Sequence, residues 1–260
     1  MNYNAQQRFI KKTTEFIQKN IVRATTSKQA KSRQKQLDKL DIIEKPKRVE
    51  KIKLNFPYSR NLGEEVLITK NLSIGYTKAI LPPINLEIRR NQKVAIIGHN
   101  GIGKSTLLKT LVKDLEAIDG TFKFNNSADI NYYRQEQTYP NLKPIDYVRE
   151  FYHMLNDGEI RSLLARVGLK SDSMQKTMNE LSGGEQTKVR LAIMTLKKAN
   201  ILILDEPTNH LDVEAKKELF KAIDEFPGSV ILVSHDRDFY SKIVDFTFDL
   251  EKNTIENKNR

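Results

Sequence analysis

Cysteine is absent from all 260 residues of the sequence, which excludes disulfide bonds and thiolate metal sites. No apolar run approaches the roughly 18 residues that a membrane-spanning helix needs, and the polar N-terminus has no apolar signal region. No internal repeat is visible. We therefore expect a soluble cytoplasmic protein, whose length permits one large domain or two small ones.

Positive charge is concentrated in the N-terminal part of the sequence. The net charge is +11, and residues 1–55 hold 15 Lys and Arg against 5 Asp and Glu, whereas the other 205 residues hold 29 against 28. Residues 1–55 contain no glycine, and Pro46 is the only proline. Sparse apolar stripes predict two helices there, over residues 5–20 and 28–44, which would form a basic hairpin joined to the rest through a hinge near Pro46.

Basic residues cluster around the turn of this predicted hairpin. Such a cluster is the electrostatic footprint of a surface that contacts phosphate backbones. No aromatic residue lies within residues 21–35, so stacking on bases is not the predicted mode. A solvated linker is the alternative interpretation of the charge run. The candidate RNA-binding residues are Arg23, Lys28, Lys31, Arg33 and Lys35.

Residues 98–105, Gly-His-Asn-Gly-Ile-Gly-Lys-Ser, fit the phosphate-loop pattern G-x-x-x-x-G-K-[ST]. The apolar run at residues 93–97 predicts a buried strand before the loop, and residues 106–112 predict a helix after it. This context places helix N-terminal amides around a phosphate group. Lys104 would reach the β and γ oxygens of a nucleotide, and Ser105 would hold Mg²⁺.

A pair of acids, Asp205 and Glu206, follows the aliphatic run at residues 201–204. Four aliphatic residues predict a central strand, and its carboxyl end is where doubly wound sheets bind ligands. Asp205 would hold Mg²⁺, while Glu206 would orient or deprotonate an attacking water. Two solvated acids at a strand end are the structural alternative.

Another apolar strand, predicted over residues 229–234, leads directly into His235. The other three histidines lie in the phosphate loop, in a helix-like stretch and beyond the acidic strand. A lone histidine is usually structural, but this position at the same sheet edge as Asp205 makes His235 a candidate ligand of a γ-phosphate.

Residues 181–186, Leu-Ser-Gly-Gly-Glu-Gln, open an amphipathic helix. Ser182, Gly183 and Gly184 provide small residues and free amides at a helix N-terminus, a combination that binds anions. For a lone Ser-Gly-Gly a capped surface helix would be the better interpretation, but the other motifs of the sequence reverse that preference. We refer to residues 181–186 as the signature hexapeptide.

Together these motifs resemble an ATP-binding cassette (ABC) domain over residues 66–250, and specifically the soluble, translation-associated ABC-F family. The resemblance implies that Gln135 is the glutamine that monitors Mg²⁺ and the lytic water, with Gln137 as the alternative. It also implies that Tyr76 stacks on adenine and that Asp212 belongs to the loop facing a partner cassette. The nucleotide-contacting residues that it implies are Gly98, Asn100, Gly101, Gly103, Lys104, Ser105, Thr106, Asp205, Ser182, Gly183 and Gly184. The ABC-F subclass is indicated by Asn-His-Leu-Asp at residues 209–212 and Glu-Gln at 185–186.

The implied fold is α/β, with a mixed-sheet phosphate-loop core and a small helical subdomain at about residues 140–185. Residues 56–260 would form the cassette, and residues 1–55 a basic linker that reaches toward tRNA and ribosomal RNA. A single signature hexapeptide implies a composite ATP–Mg²⁺ site completed by a second cassette, either a missing N-terminal half or a second copy. An ATPase subunit of a membrane transporter, an antibiotic-resistance ribosome protector and a non-hydrolysing structural cassette are the alternatives.

Overall fold

The computed structural model describes residues 3–20, 26–41, 52–135 and 138–257. The chain forms two compact units, Met1–Val49 and Glu50–Arg260. The division falls ahead of the predicted boundary at residue 55, because Ile52 and Leu54 are buried in the hydrophobic core of the second unit. The predicted hinge at Pro46 lies outside the described residues.

The described residues of the first unit form two helices, α1 (Tyr3–Asn20) and α2 (Ser27–Asp38), which contact each other. Ile17 of α1 and Ala30 of α2 are buried. Helix α2 ends before the predicted residue 44, because Lys39 leaves the helical conformation and its N–H bonds to Leu37 O. The remaining residues of the predicted second helix, from 42 onward, are outside the described residues.

The second unit contains two sheets. Their strands are β1 (Glu65–Ser73), β2 (Glu87–Arg89), β3 (Lys93–Ile97), β4 (Asp119–Phe124), β5 (Ile130–Tyr133), β6 (Ile201–Asp205), β7 (Ser229–Val233), β8 (Phe246–Asp249) and β9 (Thr254–Asn257). The smaller sheet is antiparallel with order β2-β1-β4, and the larger has order β5-β6-β7-β3-β8-β9. In the larger sheet every neighbouring pair is parallel except β8 and β9.

The buried faces of the larger sheet contact two different hydrophobic cores. Side chains of β6 alternate between them, since Leu202 and Leu204 join one core while Ile201 and Ile203 join the other. Aliphatic residues on both faces explain why these strands read as continuous apolar runs in the sequence. The sheet is therefore covered on both sides at the strands that carry the site.

Six helices occur in the described residues of the second unit. They are α3 (Lys104–Leu111), α4 (Pro144–Phe151), α5 (Asp157–Arg166), α6 (Gly183–Met194), α7 (Val213–Asp224) and α8 (Arg237–Tyr240), with short 3₁₀ turns at Ser173–Gln175 and Met178–Glu180. Helices α4, α5 and α6 share one core through Val148, Ile160 and Val189. None of the helices in the described part of the chain is both long and apolar enough to cross a membrane.

Strand β9 lies in a polar stretch of the sequence for which no strand was predicted. It pairs antiparallel with β8, placing Ile255 opposite Phe248. All four of its residues are exposed. An exposed edge strand has no apolar alternation for a sequence pattern to detect, so only the pairing with β8 identifies it.

Candidate active site

The candidate site lies at one edge of the larger sheet, where four neighbouring parallel strands end. Strands β5, β6, β7 and β3 are adjacent in that order. Each delivers one predicted element at its carboxyl end: Gln135 follows β5, Asp205 ends β6, His235 follows β7 and the phosphate loop follows β3. This is the edge at which open α/β sheets bind ligands.

These elements line a common cavity of about 390 Å³. Its lining comprises Asn100, Gly101, Gly103, Lys104, Ser105, Thr106, Gln135, Asp205, Glu206, Asn209, Val233 and His235. Ten of these twelve residues were site candidates from the sequence. Asn209 and Val233 were not, although Asn209 belongs to the 209–212 motif. Gly98 and Tyr76 are absent from the lining, and Tyr76 is 66% exposed.

Lys104 is the first residue of α3 and points back into the loop. Its Nζ donates to Gly98 O at 2.9 Å and to His99 O at 3.0 Å. Burial lowers the pKa of Lys104, and the nearby charges of Glu206 and Asp205 oppose that shift. Gly103, the cap of α3, has φ of 119°, a conformation that favours glycine. The loop thus presents a buried ammonium group beside the N-terminus of a helix, which suits a phosphate group.

Asp205 is buried at the end of β6 beside Ser105. Burial raises the pKa of Asp205 to about 6, while a hydrogen bond from Ser105 opposes the increase. Its Oδ1 is buried without a hydrogen-bond partner among the described residues. Among the described residues, no group of three or more His, Asp or Glu side chains is placed to hold a metal ion. A hydroxyl and one carboxylate fit Mg²⁺ bound largely through phosphate and water oxygens.

Glu206 adopts a strained backbone conformation, with φ of +51°. Its N–H donates to Val233 O at 2.9 Å, which fixes it against the end of β7. The side chain is buried, and His235 Nε2 lies 3.2 Å from its Oε1 without hydrogen-bond geometry. The backbone N–H of His235 donates to Oε2 at 3.3 Å. Glu206 and His235, separated by 29 positions in the sequence, therefore form one pair.

Gln135 is exposed and lines the site cavity together with a neighbouring cavity of about 920 Å³. Gln137, the alternative candidate, lies outside the described residues. Gln135 therefore follows β5 at the same sheet edge as Asp205 and Glu206, which lie at the end of the neighbouring strand β6.

The signature hexapeptide contributes no residue to the cavity lining. Ser182 caps α6: its side chain accepts from the Glu185 N–H, and the Glu185 carboxylate accepts from the Ser182 N–H at 2.9 Å. Glu185 also accepts a hydrogen bond from Ser173, the largest of the effects that lower the pKa of Glu185. The structure thus contains the capped helix of the alternative interpretation, and Ser182 is exposed.

The two glycines of the signature hexapeptide pack against His210. A Cβ atom on Gly184 would lie 2.5 Å from His210 O, and one on Gly183 would lie 3.0 Å from His210 Cγ. His210 itself has a left-handed backbone, with φ of 64°. Small residues are therefore needed here for packing within the chain, a requirement that the sequence did not reveal.

Asp212 caps α7 and links it to α6. Its Oδ1 accepts from Ala215 N at 2.8 Å, and Lys188 Nζ lies 2.8 Å from its Oδ2. The hydrogen bond from Lys188 is the main cause of a lowered pKa for Asp212. This predicted interface residue consequently has a structural role in its own chain.

The candidate RNA-binding residues lie in the first unit. Lys28, Lys31 and Lys35 are exposed on α2. The guanidinium of Arg33 lies 4.0 Å from the centroid of the Phe16 ring, so this residue also contributes to packing within the hairpin. Arg23 lies outside the described residues.

Known proteins match the sequence in both units of the chain. Models of the ABC transporter family match residues 81–209 and residues 1–56. The putative ATP-binding protein YdiF of Bacillus subtilis is 39% identical over 98% of this chain and 40% of its own length. ABC transporter F family member 5 of Arabidopsis thaliana is 33% identical over 98% of this chain and 38% of its own length.

A solved structure of a putative ABC transporter (ATP-binding protein) from Pyrococcus furiosus is 30% identical, with a TM-score of 0.59. The match covers 72% of this chain and 98% of that one. The chain spans less than half the length of the two curated relatives. These similarities confirm both the α/β cassette fold and the family resemblance found in the sequence.

Proposed function

Because this chain belongs to the ATP-binding cassette family and fits a cassette of the ABC-F type, we propose that it binds and hydrolyses ATP. One observation carries the proposal. The phosphate loop, Gln135, the acids Asp205 and Glu206, and His235 all line one cavity at the carboxyl ends of adjacent strands.

Each residue of the cavity has a distinct chemical task in this proposal. Lys104 and the first amides of α3 bind the phosphates, and Ser105 and Asp205 hold Mg²⁺, which neutralises charge on the transferred phosphoryl group. Glu206 accepts the proton of the attacking water, because its carboxylate is buried beside the loop. His235 and Gln135 orient that water and the γ-phosphate. Tyr76, which is exposed, stacks on adenine.

Closure with a second cassette completes the catalytic arrangement. Ser182, Gly183 and Gly184 do not line this chain's own cavity, but they present a helix N-terminus. We assign them to the γ-phosphate of ATP held by a partner cassette, and the partner's equivalent residues to this site. The partner is either another cassette of a longer protein or a second copy.

The basic hairpin is the proposed RNA-contacting element. Lys28, Lys31 and Lys35 share the exposed surface of α2, and Arg23 lies toward the turn in the sequence. Their charges suit phosphate backbones of tRNA or ribosomal RNA. The ATP-bound state would then hold the hairpin on the ribosome in the cytoplasm, and hydrolysis would release it.

The Glu206→Gln variant tests the assignment of the catalytic base. Removing the base leaves the phosphate-binding groups intact, so ATP affinity should stay within about twofold of the parent while turnover falls by at least about 100-fold. Binding is measured by titration calorimetry, and turnover by phosphate release in the presence of the partner cassette. Turnover equal to that of the parent would show that Glu206 is not the base.

Ribosome engagement needs a separate experiment. Full-length protein is sedimented with ribosomes with and without ATP, in the parent and in a Lys28→Glu, Lys31→Glu, Lys35→Glu variant. We expect ATP-dependent co-sedimentation that the triple variant loses and that weakens with salt. Equal co-sedimentation of the two proteins would exclude the hairpin as the contact.

A further inference from the structure

Arg190 of α6 contacts the segment that carries Gln135. Its Nη1 donates to the carbonyl oxygens of Arg134 and Gln135, the latter at 3.1 Å. Its Nη2 lies 3.3 Å from Thr187 Oγ1, on the preceding turn of the same helix. One guanidinium therefore joins α6 to the carboxyl end of β5, across 55 positions of sequence.

The surroundings of Arg190 fix its orientation. Its guanidinium lies 4.4 Å from the centroid of the Tyr133 ring, and the Tyr133 hydroxyl donates to Thr187 Oγ1 at 3.3 Å. Burial raises the pKa of Tyr133 to about 12, so this hydroxyl remains a neutral donor at ordinary pH. A planar, stacked guanidinium that bonds two successive carbonyls is an arrangement that lysine cannot reproduce.

The Gln135 segment is also anchored on its other side. Arg134 Nη2 lies 2.8 Å from Asp114 Oδ2, beyond the end of α3. The two arginines thus hold the residues at the end of β5 between the α3 region and α6. Asp114 fixes the Arg134 side chain, whereas Arg190 fixes the main chain of Arg134 and Gln135.

We propose that Arg190 is a positioning residue that couples Gln135, at this chain's own nucleotide site, to the signature hexapeptide at the start of α6. The inference rests on the proposed function, because it needs both elements to act on ATP. Gly184 and Arg190 are six positions apart on one helix, a rise of about 9 Å. A change in the position of Gln135 on binding nucleotide is passed through Arg190 to α6, and so to the surface offered to the partner.

Amide hydrogen exchange tests this coupling without requiring turnover. The parent, Arg190→Lys and Arg190→Met are compared, with Arg161→Lys on α5 as the control, since Arg161 is exposed and lies 3.8 Å from Asp157. Without nucleotide, both Arg190 variants should exchange about fivefold faster than the parent in the peptide over residues 130–140. The control should match the parent, and thermal unfolding of each variant verifies that it folds.

Adding Mg–ATP separates the coupling from nucleotide binding. In the parent, protection should increase both in residues 98–106 and in residues 181–190. In Arg190→Lys, residues 98–106 should be protected as in the parent, while the response of residues 181–190 is lost. Retention of that response in a folded Arg190→Met variant would overturn the proposal, as would parental exchange in residues 130–140 without nucleotide.

The two proposals fail in different ways. A parent chain that shows no protection of residues 98–106 with Mg–ATP would contradict the proposed function. The nucleotide-free comparison would still decide whether Arg190 holds the Gln135 segment, because it depends only on contacts within the chain.

Discussion

The cavity side and the signature side of the second unit satisfy their polar groups in different ways. In the cavity, Asp205 Oδ1 and Glu206 Oε1 are buried without a hydrogen-bond partner among the described residues. On the signature side, Ser182 and Glu185 bond to each other in a capping box, and Lys188 pairs with Asp212. The cavity thus keeps buried oxygens for a ligand, whereas these four side chains on the signature side are paired within the chain.

Because of this difference, substitutions in the two regions should change different properties of the chain. Buried acceptors without partners are costly, so they indicate where a metal ion or substrate stabilises the chain. At the start of α6, the capping box satisfies the Ser182 and Glu185 amides within the chain, so an external group can use only the remaining amides of the first turn. Substitutions of the phosphate- and Mg²⁺-binding groups in the cavity should therefore reduce ATP binding, whereas substitutions on the signature side should affect packing and pairing.

Lys104→Ala should have the largest effect on ATP binding. It removes a charged donor to phosphate from a buried position, so we expect about a 100-fold loss of affinity, measured by titration calorimetry. Lys221→Ala is the control, because Lys221 is exposed on α7, where its Nζ lies 3.8 Å from Glu225 Oε1. Equal affinities for Lys104→Ala and the parent would show that the phosphate loop does not bind ATP through Lys104.

Gly184→Ala should destabilise the fold without weakening ATP binding. Its new Cβ would lie 2.5 Å from His210 O, which forces the 209–212 segment to move. We expect a loss of about 2 kcal/mol in the free energy of unfolding, measured with urea. The control Gly158→Ala has its nearest contact at 3.2 Å, to the Asn156 side chain, and should change stability by less than about 0.5 kcal/mol. If Gly184→Ala is as stable as the parent, the packing argument is wrong.

Affinity for Mg–ATP should rise as pH increases through about 6. Burial raises the pKa of Asp205 to about 6, so its carboxylate is mostly protonated at pH 5 and ionised at pH 7. Since Mg²⁺ needs the ionised form, we expect about a tenfold gain between these pH values, and none in Asp205→Asn. The same raised pKa lowers the stability of the metal-free chain as pH rises from about 4 to 6. A pH-independent affinity in the parent would contradict the role of Asp205.

Local sequence patterns predicted the elements that carry the site. Strand β3 has the predicted bounds of residues 93–97, and β7 ends one residue before the predicted 234, because both are aliphatic strands buried on both faces. Motif order along these strands then placed the phosphate loop, Asp205 and His235 at one edge. Strand adjacency explains why so many predicted residues share a single cavity.

The features that the sequence did not predict depend on contacts between residues that are far apart in the sequence. Arg190 lies on the helix that was predicted after the signature hexapeptide, but its bonds to Gln135 span 55 positions and leave no periodic pattern. His210 restricts the signature glycines through backbone contact, which side-chain type does not reveal. Strand β2 has three residues of mixed polarity, so its pairing with β1 defines it rather than its own sequence.

We propose that this chain binds ATP by itself but needs a signature hexapeptide from a second cassette to hydrolyse it. The most direct measurement is the rate of phosphate release from a sample kept monomeric, with its mass followed by light scattering at the assay concentration. We predict clear ATP binding with turnover close to the no-enzyme background, and a higher rate when a partner cassette is added. Rapid turnover by the strictly monomeric chain would contradict the account.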